Sequence, residues 1–175
     1  MKNISTRSMV YAALCLALAL LLPFLTGQIP NIGSMISPMH IPVLLCGFLC
    51  GAPLAAIVGA VAPILRRLIF GMPPMFPTAT AMAFELCAYG LLAGLFYKLL
   101  SKSTLNLYLA LILAMLGGRV VWGLAMWLFT GPAFTFDKFI AGAFVNAVPA
   151  ILIHIAIIPP IVMALRKAGL IKAEA

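Results

Sequence analysis

From Thr6 to Leu165 the chain is a succession of apolar runs, most of them long enough to cross a bilayer, and this dictates its fold class. Of its 175 residues, 65% are hydrophobic and 8% charged, and the mean hydropathy is +1.22. A soluble domain carries about 25% charged residues, so this chain cannot clothe itself in a water-compatible surface. At roughly 20 residues per crossing, with short loops, its length accommodates about six helices. The expected fold is an all-α membrane protein: one six-transmembrane-helix bundle spanning residues 1–175.

The runs place helix one at Thr6–Leu25, a short helix two at Ile41–Leu49 and helix three at Leu54–Phe70. Helix four follows at Ala79–Leu99, helix five at Leu105–Phe129 and helix six at Phe139–Leu165. Thr78 is the expected N-cap of helix four. Small residues recur at four-residue spacing: Ala13 and Ala17 on helix one, Ala52, Ala56 and Ala60 beside Gly59 on helix three, and Gly90 and Gly94 on helix four. Such stripes let helices approach closely in lipid, either within the bundle or against another subunit. Pro63 is expected to bend helix three, and Pro159-Pro160 to kink helix six. Two uncharged loops, Gly27–His40 and Gly71–Pro77, have the proline and glycine content of ordered outer covers.

The formal net charge of +8 does not mark a nucleic-acid binder. Lys2, Arg7, Lys98, Lys102, Arg166, Lys167 and Lys172 all fall at the ends of apolar runs, the positive-inside pattern of cytoplasmic loops. Lys138 is the one clear outer-loop lysine, so both termini are expected in the cytoplasm. The apolar run after the basic start continues to Leu25, past a cleavage-like Ala17-Leu-Ala19, and reads as a retained helix. Cys15, Cys46, Cys50 and Cys87 lie within apolar runs and read as buried small hydrophobes, not as metal ligands.

Against this background a few polar residues stand out. Arg66 and Arg67 lie near the outer end of helix three, and Glu85 and Asn146 two turns inside helices four and six. Arg119 sits about 15 Å inward on helix five. A charge at a helix centre costs roughly 2.5–3.5 kcal/mol to insert, so such residues mark a function or a pair. Glu85 and Arg119 are expected to pair, leaving positive charge for a ligand with a carboxylate or phosphate; a purely structural pair is the alternative. Tyr89 and Trp122, each one turn from a charged partner, are expected as apolar walls. Arg66 and Arg67 are about 100° apart on a helix, so only one can face inward. His40 can line the same site or cap its loop. His154, on the same side of helix six as Asn146, reads as a core histidine.

Enzyme chemistry is not supported: the chain has no HExxH, no serine elbow, no paired carboxylates and no phosphate-binding loop. A chain this small without its own motor is a passive channel, a proton-coupled carrier or the binding subunit of a larger machine.

The residues Ser37-Pro-Met-His-Ile-Pro-Val-Leu-Leu-Cys-Gly-Phe-Leu-Cys-Gly51, Gly59, Pro63, Gly71-Met-Pro-Pro, Glu85, Tyr89 and Gly90 resemble the substrate-binding S components of energy-coupling factor transporters. The resemblance covers nearly the whole chain. It implies a partnership with a transmembrane T component and two ATPase subunits, which would bind the ATP and Mg²⁺. It implies that Ala13 and Ala17 dock the T component, that the two outer loops close over a vitamin, and that the subunit topples to deliver it. Met-His-Ile-Pro-Val-Leu-Leu and Gly-Met-Pro-Pro look most like the pantothenate-type branch; niacin, a folate or a pyridoxine-like compound are the other substrates. Under this resemblance Arg119 takes the ligand's acidic group, and Glu85 and Asn146 its hydroxyl or amide groups. An autonomous channel, carrier or intramembrane enzyme is the competing class.

Overall fold

The computed structural model describes residues 5–26, 36–101 and 103–171. Its elements are α-helices joined by short turns. Helix α1 (Thr6–Leu21) is capped by Ser5, whose side chain accepts from the Ser8 N–H, and runs on into a 3₁₀ turn at Leu22–Thr26. Helix α2 (His40–Cys50) turns sharply at Gly51, at φ 84°, into α3 (Ala52–Phe70). A wide turn at Met75–Ala79 leads into α4 (Thr80–Leu99), then α5 (Thr104–Thr130). The last stretch is divided into a one-turn α6 (Phe136–Ile140), a π-type turn at Ala141–Val145 and α7 (Val148–Lys167).

Among the described residues, five stretches are long and apolar enough to span a bilayer: Thr6–Leu25, Ala52–Phe70, Met75–Leu99, Thr104–Ala133 and Phe136–Lys167. Helix α2, with 11 residues, reaches about 16 Å, near half of a ~30 Å hydrocarbon core. Among the described residues, five helical stretches thus have full bilayer length, and the second of the six expected helices has about half of it. The cover expected at Gly27–His40 falls largely on residues 27–35, outside the described residues.

Helix α4 is the axis of the bundle, packed against α2, α3 and α5. α1 closes on α2 and α3, while α7 leans on α5 and α2. The α3–α4 seam is made by backbones. A methyl group at Gly59 would overlap the Leu86 carbonyl, and one at Gly90 the Ala55 carbonyl. Gly94 lies as close to Ala52. Thus the face that α3 offers to α4 runs through Ala52, Ala55 and Gly59; the four-residue stripe through Ala56 and Ala60 does not describe it. The reason is rotational: at 3.6 residues per turn, a contact face drifts between i+3 and i+4 steps. Fully buried Ala55, Ala62, Ala93, Ala110 and Ala114 continue the same design. With no hydrophobic force between helices in lipid, such close packing supplies the association.

Thr78 is not the helix-four cap. Ala79 occupies that position without a side-chain bond, and the Thr80 hydroxyl donates to the Met75 and Pro77 carbonyls instead. Pro63 sits inside α3, and the helix runs on through it to Phe70.

Gly59 and Gly117 provide a direct contrast. Either change to Ala gains about 1 kcal/mol of helix propensity. At Gly117 the methyl meets only the flexible tip of Leu92, whereas at Gly59 it meets backbone. Gly117→Ala is expected to leave the thermal unfolding midpoint in detergent unchanged or higher. Gly59→Ala is expected to lower it, because overpacking costs about 1–3 kcal/mol. Equal shifts for the two variants would contradict the seam.

Candidate functional site

Glu85 and Tyr89 are four residues apart on the inward face of α4, and both are buried. Opposite them on α5, Gly118 has no side chain, and the Tyr89 ring lies where its Cβ would be. This close approach brings the next residue, Arg119, to the carboxylate: Arg119 Nη1 is 2.9 Å from Glu85 Oε1. The Tyr89 hydroxyl donates to the same carboxylate. From α2, the buried His40 presents Nε2 3.6 Å from Glu85 Oε2 and sets its ring edge-on to Tyr89 at 5.3 Å. Three helices thus converge on one carboxylate.

A fourth contributes His154. Its ring stacks on His40, with centroids 6.1 Å apart and planes at 23°, and one of its nitrogens donates to the Ser37 backbone. It is buried, as its reading as a core histidine expects, and it adjoins this cluster through His40. Its depth in the apolar run was the available signal; its rotation about the helix was not.

Beside the cluster, α5 and α7 leave a cavity of about 140 Å³, walled by Ile112, Met115, Leu116, Phe144, Ile151 and Ile155, with Arg119 as the one charged residue in the wall. This is compact next to the roughly 300–1,000 Å³ of sites for drug-sized ligands. Arg119 sets Nη1 on Glu85 and has a buried Nε that finds no hydrogen-bond partner among the described residues. A spare donor in an apolar wall suits a small molecule with an acidic group and an apolar body.

The other expected residues lie elsewhere. Arg66 is buried, but its Nη1 donates to the Leu20 carbonyl in the last turn of α1. Its guanidinium sits 4.9 Å from the Phe24 ring centroid and 5.4 Å from that of Phe70. That is a cation–π clasp between α1 and α3. Arg67 donates to the Gly71 carbonyl just beyond α3. Neither arginine lines the cavity. Trp122 sets its ring edge-on to Phe134 at 5.6 Å and rests over Gly142, so it packs α5 against the π-type turn and is not among the cavity's lining residues. Asn146 is exposed, its N–H ending the π-type turn on the Ala141 carbonyl. The chain leaves regular helix at Asn146 and Ala147, between the π-type turn and α7, and Asn146 is exposed where His154 is buried. Ala13 and Ala17 both lie on the exposed face of α1, opposite buried Ala12, Cys15 and Ala19.

Breaking a buried ion pair by removing one partner costs about 3–5 kcal/mol, because the other charge is stranded. Glu85→Ala is expected to lower the unfolding midpoint sharply. The double change Glu85→Leu with Arg119→Met is expected to recover most of that loss, since an apolar replacement of the whole pair is near neutral. A double variant as unstable as the single one would contradict this pairing.

No curated protein and no solved structure matches the chain significantly. The family model described as ECF transporter, substrate-specific component, matches residues 7–171, nearly the full length. An all-helical chain with five bilayer-length stretches, and a buried ion pair at the edge of an apolar cavity, is in keeping with that match. The chain belongs to the substrate-specific components of ECF transporters.

Proposed function

We propose that this subunit captures a compact, carboxylate-bearing vitamin, with pantothenate the best fit, and hands it to an ATP-driven importer. Membership of the family makes it a transporter subunit, not an enzyme, and implies a small-molecule substrate with T-component and ATPase partners in the membrane. The observation that supports the finer reading is Arg119, a residue of the apolar cavity's wall whose Nη1 is answered by Glu85 and whose buried Nε has no partner among the described residues. Arg119 binds the carboxylate through its free edge. Glu85 keeps the site near neutral overall and, with Tyr89 and His40, fixes the guanidinium's orientation.

Energy comes from elsewhere. ATP and Mg²⁺ bind the two partner ATPases, and the T component docks on the α1 face that carries Ala13 and Ala17, both exposed and small enough for close helix contact. The subunit topples against that partner, with the Gly71–Thr78 segment closing over the site. Hiding Arg119 and Glu85 against each other lowers the cost of carrying them through lipid.

The subunit is placed in a prokaryotic plasma membrane with both ends inside. Two contacts support that orientation: Arg7 donates to the Gly169 carbonyl at 3.4 Å, and Arg166 Nε to the Tyr97 hydroxyl at 2.7 Å. They gather the start of α1 and the ends of α4 and α7, with their basic residues, at one end.

The test is uptake of radiolabelled pantothenate by cells expressing this chain with its T component and ATPases. Uptake is expected to stop when the ATPases are inactivated. Ala13→Leu with Ala17→Leu is expected to cut both uptake and co-recovery of the T component roughly tenfold, while pantothenate binding to the isolated subunit is unchanged. Uptake that continues without ATPase activity would overturn the reading.

A further inference from the structure

Resting on the reading of Arg119 as the carboxylate anchor, we infer that His154 and His40 form a second anchor, which accepts hydrogen bonds from a hydroxyl or N–H group of the same substrate. The two rings come from α7 and α2, stack at 6.1 Å, and are both buried. His154 Nε2, and both ring nitrogens of His40, meet no hydrogen-bond partner among the described residues.

The polarity of this anchor follows from what the rings already touch. A backbone carbonyl can only accept, so the His154 nitrogen bonded to Ser37 carries the hydrogen. In the neutral ring the remaining nitrogen, Nε2, is then a bare acceptor. His40 turns Nε2 toward the Glu85 carboxylate at 3.6 Å, beyond hydrogen-bond length but oriented as a donor would be. Its Nδ1 is then a second acceptor. These tautomers are assigned from the partners. Arg119 Nε, by contrast, can only donate. The buried cluster therefore offers a donor at Arg119, which lines the apolar cavity, and acceptors at His154 and His40, which lie behind that lining. The matching chemical class is a hydroxy- or amido-carboxylic acid with a short aliphatic body. A plain fatty acid, or a carboxylate without O–H or N–H, leaves the imidazoles unanswered.

A merely structural role accounts poorly for these rings. Each buried polar group left unpaired costs about 1–3 kcal/mol, and an aromatic hydrocarbon would pack the same space without that cost. The position of His154 adds a consequence. Helix α7 meets the bundle chiefly along α5 and α2. A substrate bridging Arg119 on α5 and His154 on α7 would draw α7 inward over the cavity.

The experiment measures pantothenate and pantothenol binding to the full chain in lipid nanodiscs, for the wild type, His154→Phe, His154→Gln and Arg119→Ala. His154→Phe is expected to weaken pantothenate binding roughly tenfold or more. His154→Gln, which keeps a polar group in place, is expected to stay within roughly threefold of wild type. The preference for pantothenate over its alcohol analogue pantothenol is expected to survive in His154→Phe and to collapse in Arg119→Ala, which separates the two anchors. Wild-type affinity in a folded His154→Phe protein overturns the second anchor and leaves the carboxylate anchor standing. If the wild type binds no pantothenate, that substrate falls, and mass spectrometry of small molecules retained through purification decides the inference. A retained acid bearing O–H or N–H, lost from His154→Phe, supports it. A retained compound without either group, or one still held by His154→Phe, overturns it.

Discussion

A carboxylate and a guanidinium that must find each other inside an almost chargeless bundle set the terms for everything around them. Glu85 is the one buried acidic side chain among the described residues, and Arg119 reaches it at 2.9 Å. Away from water such a pair holds together strongly, but each member alone is expensive. The surrounding sequence serves that meeting. Gly118 lets the Tyr89 ring lie against α5, which brings the two helices to ion-pair distance. Gly59 and Gly90 fix α3 against α4, so that α4 cannot roll its polar face away. His40, at the first turn of α2, closes the third side.

The pair also explains why one subunit can be both a membrane bundle and a binder of something charged. Arg119 is satisfied enough to be inserted, yet its buried Nε has no hydrogen-bond partner among the described residues, and the residue also lines the α5–α7 cavity. In the proposed reading, the ligand's acid supplies what the protein leaves out. A division of labour follows from the family: this chain supplies recognition, and its partners supply the motor. The exposed small-residue face of α1 lies away from the polar cluster, so binding and docking need not compete for surface.

Much of this fold is legible in the order of the residues. Apolar runs of the right length announce the helices, and every charge inside them stands out against a costly background. The Glu85–Arg119 pairing follows because only one acid is available to the buried arginine. Rotational phase is what the residue order conceals. Arg66 is buried as a charged residue of this kind should be, but between Phe24 and Phe70 rather than in the cavity. A continuous helix would put Asn146 and His154 on one side; the break at Asn146–Ala147 comes at the start of that stretch, and only the histidine is buried, stacked on His40. The shortness of the second helix, by contrast, is legible in its apolar run, and α2 spans 11 residues.

A structure of the full chain with its retained small molecule, solved in a lipid environment, tests the central claim most directly. The account expects an acidic group of that molecule within hydrogen-bond distance of Arg119, with Glu85 still on the far side of the guanidinium. A ligand held instead at Arg66 or Arg67, with Arg119 engaged by Glu85 alone, would contradict it.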